Sequence, residues 1–259
     1  MKYDYSRDEI ISALKGLGVQ KGDNLFMHSN IGFFGKLKDA TTQEDYYRIF
    51  KEAILEVIGS EGTMVVPVFS YSFCKGNVFD INETPGVCGF FSENLRKDPL
   101  SSRSADANFS IAAIGANSIY FTSDAPEHSF GKGSFWDKFL QKKGKFCNFN
   151  FDAGSTFVHY VEKSIGVNYR YDKAFKGISK NNNGEREQVF YHFVYDLNKP
   201  EDGPEFTKFH KKAIETGLAK TANLGRGQIV LISAEDTYKL IATEIPVNPT
   251  FLRKGNASK

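Results

Sequence analysis

The sequence predicts an α/β fold, and three observations carry the prediction. Capping signatures open amphipathic stretches near residues 6 and 42, a short apolar run follows each stretch, and a glycine closes each helix. A helix set between strands in this order favours a right-handed crossover and parallel pairing.

Ser6-Arg7-Asp8-Glu9 reads as a capping box, in which the serine receives a backbone N–H and the glutamate returns the bond. Ile10, Ile11, Leu14 and Leu17 then supply one apolar stripe that stops at Gly18. The turn Lys21-Gly22-Asp23 leads into an apolar strand over 24–28. Thr41-Thr42-Gln43-Glu44 starts a second helix with Phe50, Ala53, Ile54 and Val57 on one face; it ends at Gly59, before a buried strand over 63–69. Farther on, 110–115 and 145–151 read as strands, and Ser134 caps a short helix over 135–141. After Gly177 the character changes. Asn181-Asn182-Asn183-Gly184 is a polar turn, 188–197 is β-rich, a helix is expected over 205–216 and a strand over 227–233. The tail from Leu252 is expected to fray. Residues 1–259 read as a single domain, with 178–259 either completing it or forming a β-rich C-terminal subdomain.

Composition removes several classes of function. The 33 basic and 31 acidic side chains leave a net charge of +2, too mild a bias for a nucleic-acid partner. No apolar run approaches the roughly 18–20 residues that span a bilayer, so no membrane partner is expected. The opening Met1-Lys2-Tyr3-Asp4-Tyr5 offers no signal-peptide core. Cys74, Cys88 and Cys147 form neither a CxxC nor an even framework, which suits a reducing cytoplasm. The five histidines lack ligand spacing, so no metal site is expected. The 24 phenylalanines are read mostly as core, the remainder as walls of a cleft.

Four segments carry chemistry. In Thr156-Phe157-Val158-His159-Tyr160-Val161-Glu162, helical spacing would put an imidazole and a carboxylate on one face. A carboxylate that orients the ring and raises its basicity is what a general base near neutral pH needs. The same spacing also decorates solvated helices. The loop His28-Ser29-Asn30-Ile31-Gly32-Phe33-Phe34-Gly35 is either an anion cradle of backbone N–H groups or a tight turn needing its glycines. Ser101-Ser102-Arg103-Ser104-Ala105-Asp106 could grip a phosphate or be a solvated loop. Glu127-His128-Ser129-Phe130-Gly131-Lys132-Gly133-Ser134 is a glycine-punctuated turn whose histidine reads as exposed.

In order, the segments HSNIGFFG, GTMVVPVFSYSFCKGNVFD, SRSADANFSIAAIG, HSFGKGSFWDKF and STFVHYVEKSIGVNYRY resemble the aminoglycoside 3-N-acetyltransferase family, from about residue 6 to about 177. The resemblance implies a layered α/β/α sheet distinct from the GNAT fold, and acyl-CoA-dependent N-acyl transfer with coenzyme A as co-substrate and no metal. It implies His159 as catalytic base and Glu162 as its partner. Coenzyme A contacts are expected at His28, Ser29, Asn30, Ile31, Gly35, Ser102, Arg103, Ser104 and Ser110. The oxyanion formed on attack needs donors, either backbone N–H groups or the hydroxyl of Ser104 or Ser110.

Substrate contacts are expected at Tyr71, Phe73, Lys75, Asp106 and Arg170. Resistance members carry a His-Pro pair where this chain has Asp106-Ala107, and 71–76 resembles a subgroup found with surface-polysaccharide genes. The near-balanced charge also disfavours a polycationic acceptor. Lys36, Lys38, Lys75, Arg170 and Lys173 would suit a pyrophosphate. The expected acceptor is therefore a small amino deoxysugar linked to a nucleotide such as dTDP, used for O-antigen or capsule. The expected acyl group is acetyl or a hydroxyacyl such as 3-hydroxybutanoyl, with Phe33, Phe34 and Phe73 shaping its pocket. The alternatives are an aminoglycoside acceptor, a ping-pong route through Cys74, and an inactive binding module. A cytoplasmic protein is expected, with a homodimer among its admissible assemblies.

Overall fold

Residues 3–255 are described by a computed structural model, in which the predicted apolar stripes become the buried faces of helices. In chain order the first elements are α1 (Arg7–Leu17), β1 (Asn24–Ser29), α2 (Gln43–Ile58), β2 (Thr63–Pro67), β3 (Phe79–Asp80), α3 (Phe90–Lys97), β4 (Ser102–Arg103), β5 (Ile111–Gly115) and α4 (Ser118–Thr122). There follow α5 (Phe135–Gln141), β6 (Lys145–Phe149), α6 (Val158–Ser164), β7 (Arg170–Asn181), β8 (Gly184–Tyr195), α7 (Thr207–Glu215), β9 (Lys220–Leu224), β10 (Gly227–Ser233) and α8 (Ala234–Glu244).

Reciprocal capping boxes open α1 at Ser6 and Glu9 and α2 at Thr42 and Asp45, and Gly18 and Gly59 end them. The main sheet runs β4-β5-β2-β1-β6-β10-β9. Its centre, β2-β1-β6, is parallel, whereas β5, β4, β10 and β9 join antiparallel. Alternation along each strand feeds two cores. Leu25, Met27, Cys147 and Phe149 pack with α1 and α2, while Phe26, Phe146, Val230 and Ile232 pack with α5 to α8 on the other face. The result is a three-layer α/β/α arrangement with a mixed sheet.

A second sheet, β3-β7-β8, consists mainly of a hairpin whose two strands pair in register from Arg170↔Tyr195 to Asn181↔Gly184. Residues 178–259 are thus divided between the sheets, since β9 and β10 complete the larger one. Their tail does not fray at Leu252. Phe251 and Leu252 are buried, and Arg253 pairs with Asp202; residues 256–259 lie outside the described part. No helix among the described residues is long and apolar enough to cross a membrane.

The topology assembles one edge. The carboxyl ends of β1, β2 and β6 open into loops at 30–35, 68–72 and 150–157. Antiparallel β5 brings the loop before it to the same place, where Val68 N–H donates to the Ser110 carbonyl at 2.9 Å. In open α/β sheets ligands bind outside the carboxyl ends of the strands.

Gly115 closes β5 at φ +127°, and a Cβ there would lie 2.2 Å from the Gly62 carbonyl oxygen. A backbone atom inside a paired sheet cannot swing aside. Gly115→Ala is therefore expected to cost about 2 kcal/mol or more, read as a Tm lowered by several degrees in a thermal melt.

Candidate active site

Helix α6 is short, and Val158 and Val161 anchor it in the core. The same turn carries His159 and Glu162 to the carboxyl edge of the sheet. Glu162 is 0 % exposed and has three polar partners, two in hydrogen bonds and one in an ion pair. His159 Nδ1 lies 2.8 Å from Oε2, Tyr169 donates its hydroxyl to Oε1 at 2.8 Å, and Arg170 Nε lies 2.7 Å from Oε2. Burial alone would raise the carboxyl pKa. The hydrogen bond from His159, the Arg170 charge and the Tyr169 hydroxyl together bring it below the ordinary value. Glu162 is thus ionised at neutral pH and holds the imidazole proton on Nδ1.

The other nitrogen of His159, Nε2, keeps its lone pair. Burial lowers the pKa of this ring and Arg170 lowers it further; the bond to Glu162 works against them, and the net shift is downward. The histidine therefore stays neutral at pH 7 and presents an acceptor. Its side chain, 18 % exposed, lines a cavity of about 530 Å³, within the size range of small-molecule sites. Phe109, Phe130 and His159 form the wall beside the main sheet, and Arg170, Lys173 and His192 come from the hairpin above it. Cys74 sits at the same cavity, its Sγ 3.9 Å from His192 Nδ1. His192 Nε2 lies 2.9 Å from Asn108 Nδ2. A hollow of about 600 Å³ on the hairpin, against Glu127, Lys176 and Val189, has neither a histidine nor a cysteine in its lining.

The comparisons bear on this arrangement. A profile of the family described as aminoglycoside 3-N-acetyltransferase matches residues 27–244. The chain belongs to that family. Aminoglycoside N(3)-acetyltransferase IV of Salmonella sp. is 31 % identical over 134 residues, which are 50 % of this chain and 48 % of that protein. The match thus spans about half the length of that curated relative. Aminoglycoside acetyltransferase AAC(3)-Xa has a similar fold, with a TM-score of 0.80, 19 % identity and 92 % of each chain covered. So has AAC-IIIb in its binary complex with CoASH, with a TM-score of 0.79, 20 % identity, and 98 % of this chain and 99 % of that one covered. The fold class is theirs and not that of GNAT.

Within this acetyltransferase fold the predicted site residues separate into groups. His159, Glu162 and Arg170 come together at the cavity. His28 and Ser29 end β1, and Asn30, Ile31 and Gly35 follow it on the same edge. His28 Nδ1 meets Asn148 Oδ1 at 2.9 Å, and the Asn148 amide nitrogen is turned to the Asp152 and Gly154 carbonyls. His28 therefore carries its proton on Nδ1 and offers a lone pair on Nε2, a poor partner for a phosphate. Ile31 is buried in the core, and Gly35 at φ +90° leaves the space that the Asp4 carboxylate fills. Ser29 Oγ is buried with no hydrogen-bond partner.

The serine-arginine cluster is no solvated loop. Ser102 and Arg103 form edge strand β4, three strand spacings or roughly 14 Å from β1. The five N–H groups of Arg103 are directed at the carbonyls of Val68, Ile81 and Thr84 and at Ser110 Oγ. None remains for a coenzyme phosphate. Ser110 Oγ donates to the Val68 carbonyl, and Ser104 Oγ accepts from Ile111 N–H. Both hydroxyls bind the sheet edge together; Ser110 gives its proton to the Val68 carbonyl and is no free oxyanion donor, whereas Ser104 uses only its acceptor there.

On the acceptor side, Phe73 is core, packed against Phe190 at 5.7 Å and over Gly177. Phe34 is core too, and Phe33 is exposed, so the expected acyl pocket does not form from these three. Asp106 Oδ1 accepts from Asn108 and Phe109 N–H and holds the turn before β5. Lys75 Nζ donates to the Ser70 carbonyl. Tyr71 adopts left-handed backbone, φ +53°, uncommon for a side chain of this size, and its ring packs against Phe109 at 5.4 Å. The cavity residues that the sequence reading overlooked include Phe109, Phe130, Phe175 and His192, and it overlooked Asn108, buried behind His192. One signal was present: period-two spacing sets His192 on the face of the buried Phe190. Among the described residues no cluster of three or more His, Cys, Asp or Glu could hold a metal.

Glu162→Gln leaves Arg170 as a buried charge without its counter-ion, and the expected cost is about 3–5 kcal/mol. Lys163 is one residue along and forms a half-exposed pair with Asp172; Lys163→Ala should cost no more than about 1 kcal/mol. Urea unfolding of both variants checks the contrast.

Proposed function

We propose that the chain moves an acyl group from acyl-CoA to the amine of a nucleotide-linked amino deoxysugar, dTDP-linked in our reading, with His159 as general base and Glu162 as its partner. The observation that carries this reading is a neutral histidine at a cavity wall, its proton fixed on the far nitrogen by a buried carboxylate. Acyl-CoA supplies the activated carbonyl. As the neutral amine attacks that carbon, its N–H proton passes to His159 Nε2, and the imidazolium formed is stabilised by Glu162 at 2.8 Å. The C–S bond then breaks, and the departing thiolate takes the proton, leaving an amide and free coenzyme A.

Support for coenzyme A comes from the family, and at the carboxyl end of β1 Ser29 Oγ is buried without a hydrogen-bond partner. The relative AAC-IIIb is described as a binary complex with CoASH. Support for the acceptor comes from charge. Arg170 is neutralised by Glu162, and the other fixed charges of the lining are Lys173 and Asp196. A polycationic antibiotic would meet a single carboxylate there. A diphosphate would meet Lys173, with Lys75 near it beside Cys74.

The ping-pong route is disfavoured at Cys74. Burial pushes the thiol pKa up, Asp106 adds to the rise, and the opposing pull of Lys173 and Lys75 does not cancel them. A protonated thiol is a weak nucleophile. Transfer in a ternary complex needs no such group.

His159→Ala should bind coenzyme A as the wild type does and lose about 10²–10⁴-fold in turnover, followed by thiol release with dTDP- and UDP-amino sugars. Retained turnover would sink the assignment. Cys74→Ala should keep most of its activity. Because the imidazole pKa lies below its ordinary value, the enzyme's acid limb in kcat/KM should fall below pH of about 6.5; a limb at higher pH that stays put when the acceptor amine is changed contradicts the base. Turnover of kanamycin or gentamicin with none of the nucleotide sugars would overturn the acceptor.

A further inference from the structure

We propose that His192 is a second ligand-facing histidine of this cavity, donating a hydrogen bond to an oxygen of the acceptor sugar and so selecting which acceptors present their amine to His159. The inference deepens the acyltransferase reading above and rests on it. It starts from an amide whose orientation the backbone decides. Cys74 N–H lies 3.2 Å from Asn108 Oδ1, and a backbone N–H cannot face an amide NH₂. Asn108 Nδ2 is therefore the atom turned to His192 Nε2, at 2.9 Å. A donor on that side requires a lone pair on Nε2. The hydrogen of the neutral ring must then sit on Nδ1.

Nδ1–H has poor company in the protein. Its one recorded contact is Cys74 Sγ at 3.9 Å, a long approach to a weak acceptor. The residue is 3 % exposed, its ring held edge-on by Phe109 at 4.7 Å and flanked by Phe175 at 4.5 Å. Both phenylalanines, like His192 itself, line the cavity that His159 lines. Burial pulls the imidazole pKa down to about 4 against the charge of Asp106, so the ring stays a neutral donor at pH 7. A buried N–H without a strong acceptor is costly, and a ligand oxygen removes the cost.

His159 and His192 carry their protons on the same nitrogen yet present opposite faces. Glu162 occupies the Nδ1 side of one, and Asn108 occupies the Nε2 side of the other. The cavity therefore meets a lone pair at His159 and a proton at His192. An amine suits the first. At the second, a hydroxyl, ring or phosphate oxygen is accepted and an ammonium is refused, because two donors cannot pair. A site built around a hydrogen bond to substrate rejects analogues that cannot make it.

The test uses the whole protein, acetyl-CoA and dTDP-4-amino-4,6-dideoxyglucose. His192→Phe should raise the KM of the sugar tenfold or more, with the KM of acetyl-CoA and kcat changed less than threefold. His192→Gln, whose carbonyl can accept from Asn108 while its NH₂ faces the cavity, should recover part of the loss. In ¹⁵N-labelled wild type, His192 should show a protonated Nδ1 and a bare Nε2 from pH 8 to 5, and the sugar should shift the Nδ1 proton. An Nε2–H tautomer, or an unchanged KM in His192→Phe, overturns the inference; the spectrum decides even where the variant does not fold. Wild-type protein that acetylates no nucleotide sugar overturns the acceptor proposed earlier, and one that acetylates them with His192→Phe at unchanged KM overturns only this step.

Discussion

A carboxylate with no surface in contact with water must be satisfied from inside the protein, and the way Glu162 is satisfied organises everything around the cavity. Its three partners come from three places: His159 from its own helix, Tyr169 from the connection after it, and Arg170 from the first residue of β7. Meeting them together fixes how the chain leaves α6 and enters the second sheet. The constraint reaches the C-terminal tail, since the Arg253 guanidinium lies 4.5 Å from the centre of the Tyr169 ring and also pairs with Asp202. Such a buried pair adds little net stability once desolvation is counted. What it contributes is position.

Position propagates through register. Arg170 faces Tyr195 across the hairpin and Lys173 faces His192, with no bulge between them. Holding Arg170 against Glu162 therefore fixes His192 three residue pairs away. A one-residue slip of β8 would turn every side chain to the opposite face and take His192 out of the cavity. The two histidines come from distant parts of the chain, yet a single ion pair and an unbroken ladder set one relative to the other.

Local signals made half of this site legible in the sequence. The capping boxes at Ser6 and Thr42 act over three residues, and so does the His159–Glu162 pair. Arg170 lies close enough to be carried along. The rest depends on contacts between residues far apart. Arg103 looked like an anion grip because sequence displays its charge and hides the Val68, Ile81 and Thr84 carbonyls that enclose it. Strand β7 gave no strand signal in the sequence, since most of it is exposed and its order comes from pairing with β8. Helix α8 escaped because Ser233, its N-cap, is also the last residue of β10, so strand passes into helix without a loop. Asn108 shows nothing beforehand; its role depends on the Cys74 backbone and the His192 ring arriving on either side.

The partners of a side chain, more than its type, decide its chemistry here. His28, His159 and His192 are all partly or wholly withdrawn from water, and burial lowers the pKa of each, so none carries charge as its resting state at pH 7. Burial cannot tell them apart. The atom opposite Nδ1 or Nε2 does so. A carboxylate beside His159 makes its ring basic toward the cavity and able to hold a proton briefly. The Asn148 oxygen beside His28 leaves a lone pair with no counter-charge from a direct partner, suited to accepting a hydrogen bond and poorly suited to taking a proton. The Asn108 nitrogen beside His192 reverses the presentation and leaves a donor. An acyl transfer to an amine needs one proton acceptor with a counter-charge behind it, and among these rings only His159 has Glu162.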